Sequence, residues 1–124
     1  MADTADADPV GIWQPRQFLR PCLLLLLRES TAHGYDLLER LREFGIERDA
    51  GGLYRTLRAM EHEGLVASWW EPSTAGPDRR RYRLITAGEA ELSAAAAGLA
   101  ELRAALDYFL DRWRAQTEEA AAAQ

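Results

Sequence analysis

Apolar residues along this chain recur first at helical spacing, then at strand spacing, and finally every seven residues. From Gln14 to Glu29, Phe18, Leu19, Cys22, Leu23, Leu26 and Leu27 mark a helix, and the unbroken leucines bury it on most sides. Pro21 leaves two choices: it sits in the first turn of a helix starting near Arg20, or it kinks a longer one. Ser30 to Gly34 is a turn, and HGYDLLERLREF opens a second helix. His33 serves as its cap, Asp36 suits the positive end of the helix dipole, and Tyr35, Leu38 and Leu41 form the apolar stripe, with Leu37 and Phe44 flanking it.

A third helix runs from about Ala50 to Glu63. Leu53, Leu57 and Met60 fall at i, i+4 and i+7 and make its buried face, so Arg55, Arg58, Ala59 and His62 point the other way. Gly64 ends it. Val66 to Glu71 and Arg80 to Ile85 are strand-like, with PSTAGPD as the loop between them. Alternation along the second strand turns Tyr82 and Leu84 to the core, with Arg79 to Arg81 at the tip and Arg81 and Arg83 outward. Three helices followed by a two-stranded hairpin describe a winged helix-turn-helix, mainly α with one small β-hairpin.

Thr86 then caps a long helix, with Glu89 completing a capping box. Leu92, Leu99, Leu106 and Trp113 repeat at seven residues, and Ala95, Leu102 and Phe109 repeat three positions later. That is an a/d heptad, a seam that needs a partner surface, and a second copy of the chain is the simplest partner. After Ala115 the apolar face is lost and the end is expected to fray. The expected organisation is a disordered tail at 1–12, a winged helix-turn-helix domain at 13–85, a C-terminal dimerisation helix at 86–116 and a frayed tail at 117–124.

Charge modifies this picture by its placement. The net charge of −5 speaks against a nucleic-acid partner. Residues 12–83, however, hold twelve arginines against ten acids, while the excess acid sits at the two ends. The single cysteine excludes an intramolecular disulfide and, with an acidic rather than basic start, fits a soluble cytoplasmic protein. The leucine run falls far short of the ~20 apolar residues of a membrane span.

Arginine donates in pairs to guanine in the major groove or clamps a phosphate, so Arg55 and Arg58 on the third helix suit DNA. Taken alone they equally describe a solvated helix face. Arg79, Arg80, Arg81 and Arg83 in the hairpin add the weight, because a basic wing beside an arginine-bearing third helix holds a phosphate backbone. The alternative is a winged-helix adaptor that binds protein and not DNA, but such an adaptor gains nothing from three consecutive arginines. Enzymatic readings find little support. His33 and His62 stand on different helices without metal-ligand spacing, GGLY lacks the length and the lysine of a phosphate loop, and no nucleophile–base pair is visible. No cofactor and no metal are expected.

HGYDLLERL at 33–41, GLYRTLRAMEHEGLV at 52–66 and RRRYRLITAGEAEL at 79–92 resemble the PadR family of bacterial transcriptional regulators. The resemblance implies a winged-helix DNA-binding domain with one C-terminal dimerisation helix, as in the smaller branch of that family. It adds Tyr54 and Thr56 to Arg55, Arg58 and the wing arginines Arg79, Arg80 and Arg81 as expected DNA contacts. Family members often carry proline directly after this tyrosine, where the present chain has Arg55. The resemblance also implies a homodimeric, ligand-responsive repressor acting on a pseudo-palindromic operator, with a flat aromatic effector held at the dimer interface. Trp13 and Trp113 are the candidate ligand residues, or else plain interface packing. Leu92, Leu99, Leu102, Leu106, Phe109 and Trp113 form the expected dimer seam.

Overall fold

The computed structural model describes residues 17–123. Helix α1 (Leu19–Glu29) is followed by a two-residue strand β1 (Ala32–His33), helix α2 (Gly34–Arg40) and a 3-10 turn (Leu41–Phe44). Helix α3 (Ala50–His62), strands β2 (Val66–Glu71) and β3 (Arg79–Leu84) and helix α4 (Thr86–Ala122) complete the chain. Two compact units result, one ending at Leu92 and the other starting at Ser93. Trp13 and the expected tail at 1–12 lie outside the described residues.

In the first unit the leucine run carries the core. Leu23, Leu24, Leu26 and Leu27 of α1 are buried against Leu37, Leu41, Ile46, Leu53, Leu57 and Met60, and Val66 and Tyr82 close the layer from the sheet. Pro21 sits in the first turn of α1, where its missing N–H costs no helical hydrogen bond. Asp49 caps α3 by accepting from the Gly52 amide. The far end of α3 closes as a Schellman motif: the amide of Gly64 (φ 80°) donates to the Glu61 carbonyl, and that of Leu65 donates to Met60. The buried side chains of Leu65 and Met60 fix the exit into β2.

Four expectations are corrected. The sheet has three strands in the order β1-β3-β2, because Ala32 and His33 pair with Tyr82 and Arg81 and cover the outer edge of the hairpin. Along α2 and the 3-10 turn after it the buried pair is Leu37 and Leu41, one turn apart, while Tyr35 is 67% exposed; the three leucines gave two possible stripes, and packing against α1 and α3 selected one. No capping box forms at α4, since the Ile85 carbonyl accepts from the Glu89 amide and shifts the cap back by one residue. Finally, α4 continues to Ala122 instead of ending at 116. Its last residues are mostly alanine and glutamate, whose high helix propensity sustains the helix without an apolar face.

The second unit is the body of α4. Its Leu102, Leu106, Phe109, Leu110 and Trp113 are exposed, from 38% at Leu102 to 65% at Phe109. Their spacing of three and four residues places them on one stripe. Leu99 is half-buried. Leu92 shares the heptad period but belongs to the first unit, packed partly on the core. No helix among the described residues is long and apolar enough to cross a membrane.

Candidate nucleic-acid interface

The solvent face of α3 follows from its buried one. With Leu53, Leu57 and Met60 inward, Tyr54, Arg55 and Arg58 are exposed. Thr56 is half-buried and its hydroxyl donates to the Gly52 carbonyl at 3.1 Å, leaving only lone pairs to offer. Arg55 and Arg58 make no hydrogen bond or ion pair among the described residues, so both guanidinium groups are available to an anion.

Beside α3 opens a cleft of about 990 Å³ bounded by the start of α2, the outer face of α3 and the hairpin. Tyr54, Arg58 and Glu61 line it from α3, Trp70, Asp78, Arg79 and Arg80 from the hairpin, and His33, Gly34 and Asp36 from the start of α2, so its charge is mixed. Gly34 makes room there for close approach: a Cβ at this position would overlap the Tyr54 ring and displace that side chain. No group of histidine, cysteine or acidic residues among the described ones is arranged to hold a metal ion.

The arginine run does not form the tip of the wing. Its turn, residues 72–78, contains no basic residue, and Arg79, Arg80 and Arg81 lie on β3 opposite Glu71, Trp70 and Trp69. Alternation then separates them. Arg80 lies on the α3 side, where its Nε donates to Ser68 Oγ at 2.9 Å and its guanidinium stacks 5.0 Å above the Trp70 ring. Ser68 in turn donates to the Glu61 carboxylate at 2.8 Å, and Glu61 stands 3.9 Å from Arg80. Arg81 lies on the opposite face, where its Nε donates to Glu71 at 3.1 Å and its Nη1 to Thr31 Oγ1 at 3.0 Å. Glu71 is also 2.8 Å from Nε2 of the nearly buried His33. The Arg81 guanidinium, and after it the His33 hydrogen bond, hold the Glu71 carboxyl below the usual carboxylate range. Arg79 and Arg83 are exposed and make no such bond among the described residues.

Of the seven sequence-predicted contact residues, Tyr54, Arg58, Arg79 and Arg80 therefore share the cleft. Arg55 stands on the exposed face of α3 near its first turn, and Arg81 faces away into its own ion pair. His33 is at the cap position of α2, yet its side chain forms no cap and reaches Glu71 and Asp36 instead. The roles of Glu61 and Glu71 were missed. Their partners lie seven to 38 residues away in sequence, so only strand pairing and the β2–α3 turn bring them together.

Three buried helices, a covered hairpin and an arginine-bearing third helix define the winged helix-turn-helix class. Within it, residues 23–94 match the transcriptional regulator PadR-like family, and the chain belongs to that family, whose members regulate transcription and are not enzymes. A PadR family transcriptional regulator from Eggerthella lenta DSM 2243 is 33% identical, covering 77% of this chain and 83% of its own, with a TM-score of 0.68. A PadR-like transcription factor from Bacteroides fragilis is 30% identical over 74% of this chain and 89% of its own, with a TM-score of 0.65. Bacillus subtilis PadR in complex with operator DNA shares the fold at 23% identity and a TM-score of 0.60, over 67% of this chain and 48% of its own. No curated protein matches the chain.

Proposed function

We propose that this protein is a cytoplasmic repressor that binds duplex DNA as a homodimer on a pseudo-palindromic operator. The observation that carries this reading is the set of arginines without an ion-pair partner among the described residues, Arg55 and Arg58 on α3 and Arg79 on the wing, beside the exposed Tyr54. An α-helix fits the major groove, where Arg55 and Arg58 reach base edges or phosphates, with Tyr54 and Thr56 beside them and the wing on the flanking backbone. The operator complex of Bacillus subtilis PadR, which has the same fold, supports a DNA partner.

Dimerisation is supported by the exposed stripe of Leu102, Leu106, Phe109 and Trp113, an apolar seam of a kind that a second copy covers in parallel or antiparallel register. Two recognition helices held about one helical turn of DNA apart, or a multiple of it, set the half-site spacing. Trp113, 56% exposed on that stripe, supports an aromatic effector site at the interface. Such an effector releases DNA by favouring a dimer geometry with the wrong helix spacing.

The deciding experiment is a salt series on duplex DNA. Contacts to 6–10 phosphates cost roughly three to five decades of affinity between 50 and 200 mM salt. A flat response, or no binding at any salt, leaves the protein-binding adaptor as the surviving reading.

A further inference from the structure

The arginine run of β3 is a single motif in sequence and two kinds of group in space. Among the described residues Arg79 has no ion-pair partner, whereas Arg80 and Arg81 are each held by a carboxylate of their own chain. The two carboxylates come from different elements. Glu61 lies on α3 and takes hold of Arg80 through Ser68, which ties the α3 side of the hairpin to the helix beneath it. Glu71 ends β2, where the turn of the wing begins, and joins Arg81 on β3 to His33 on β1. The hairpin is thus fastened on both faces, once to the recognition helix and once to the edge strand.

We propose that Arg80 and Arg81 are positioning residues that do not neutralise DNA phosphate. With Glu61, Glu71 and His33 they hold the hairpin at a set angle over the cleft, so that Arg79 of the wing and Arg58 of α3 grip the sugar–phosphate backbone from its two sides. The inference rests on the DNA-binding reading above and refines which cations do the work. A charge already matched by a neighbouring carboxylate releases few counterions when DNA arrives, whereas an unmatched one releases its full share. The arrangement also accounts for the two glutamates, Glu61 on α3 and Glu71 at the end of β2, that face a wing with four arginines.

The sign of one substitution separates positioning from plain electrostatics. Glu71→Gln removes a negative charge from the DNA-facing domain and frees Arg81, so electrostatics alone predicts tighter binding. Positioning predicts the reverse, a loss of roughly tenfold, the size of one misplaced charge-assisted contact. Binding of the full chain to a mixed-sequence duplex long enough for two half-sites is measured at several salt concentrations, with circular dichroism on each variant. Arg58→Ala and Arg79→Ala should each lower the slope of log affinity against log salt by about 0.9. Arg80→Ala and Arg81→Ala should weaken binding at every salt and leave the slope where it is. Tighter binding by Glu71→Gln, or slopes that fall with Arg80→Ala and Arg81→Ala as much as with Arg79→Ala, overturns the proposal. The Arg80 and Arg81 slopes decide the matter even if Glu71→Gln does not fold. A wild-type chain without salt-dependent binding takes down the DNA reading itself, an outcome distinct from a salt-sensitive wild type with the wrong variant slopes.

Discussion

The ring of Tyr54 lies against the α-carbon of Gly34, so closely that a single added methyl group would occupy the space of the ring edge. The first turn of α2 thereby fixes the direction in which a residue of α3 leaves the surface. Tyr54 is held half out of the protein, 38% exposed, with its ring packed and its side facing the cleft free.

Gly34→Ala should therefore act on DNA more than on the fold. The Tyr54 side chain can swing outward, so the melting temperature should fall by only a few degrees, in line with a cost of about 1 kcal/mol. Affinity for duplex DNA, measured by fluorescence anisotropy, should drop about as far as in Tyr54→Ala, and the double variant should add little to either. Fully additive losses would show that the two residues act separately.

The stripe on α4 predicts an oligomeric state. A glutamate at Leu102 or Leu106 places charge in an apolar seam, and an unpaired buried charge costs several kcal/mol. Either variant should run as a monomer in light scattering and lose DNA affinity at least tenfold, because a single wing and helix remain. An intact dimer would place the interface elsewhere.

Two ion pairs predict a weakening in acid. The Arg20 hydrogen bond holds the Glu63 carboxyl below its ordinary range, as Arg81 does for Glu71. The folded state thus favours the ionised form of each. This contribution is present above the ordinary carboxylate pKa and is lost as pH falls through the lowered folded-state values. Glu63→Gln should melt below the wild type at pH 7, and the gap should close as pH drops below about 4. A gap that is independent of pH would mean that packing, not charge, is what the substitution removes.

Cys22 should be inert in the folded protein. Burial among the leucines pushes its thiol up to about 12, so the nucleophilic thiolate is absent at neutral pH. A disulfide reagent at pH 8 should label it only upon unfolding. The same shift means that the folded state keeps a proton the unfolded chain gives up. Stability from this group is complete below the ordinary thiol pKa of 9.0 and declines as pH rises from there towards 12. Rapid labelling of the native protein would indicate an opening of α1.

Much of the architecture was legible because periodicity reports burial directly. The i, i+4, i+7 spacing of Leu53, Leu57 and Met60 located the inner face of α3, and with it the outward direction of Arg55 and Arg58. The alternation that turned Tyr82 inward and Arg83 outward held as well. Periodicity failed on α2, where Tyr35 and Leu37 were both admissible and only the neighbouring helices could choose. It also failed for β1, since two residues carry no repeat and become a strand only when β3 is there to pair with them.

Local sequence by itself determined the buried face of α3, the ends of α1 and α3, and that an arginine-rich segment lies beside an arginine-bearing helix. Those properties arise from spacing, glycine and capping within a few residues of each other. Tertiary structure alone decided which of the arginines remain unpaired. Glu61 and Glu71 reach Arg80 and Arg81 only after the hairpin folds onto α3 and onto β1, across separations that no local pattern encodes. Charge along a chain is additive, but its effect on a partner depends on the distance to the nearest opposite charge, and folding sets that distance.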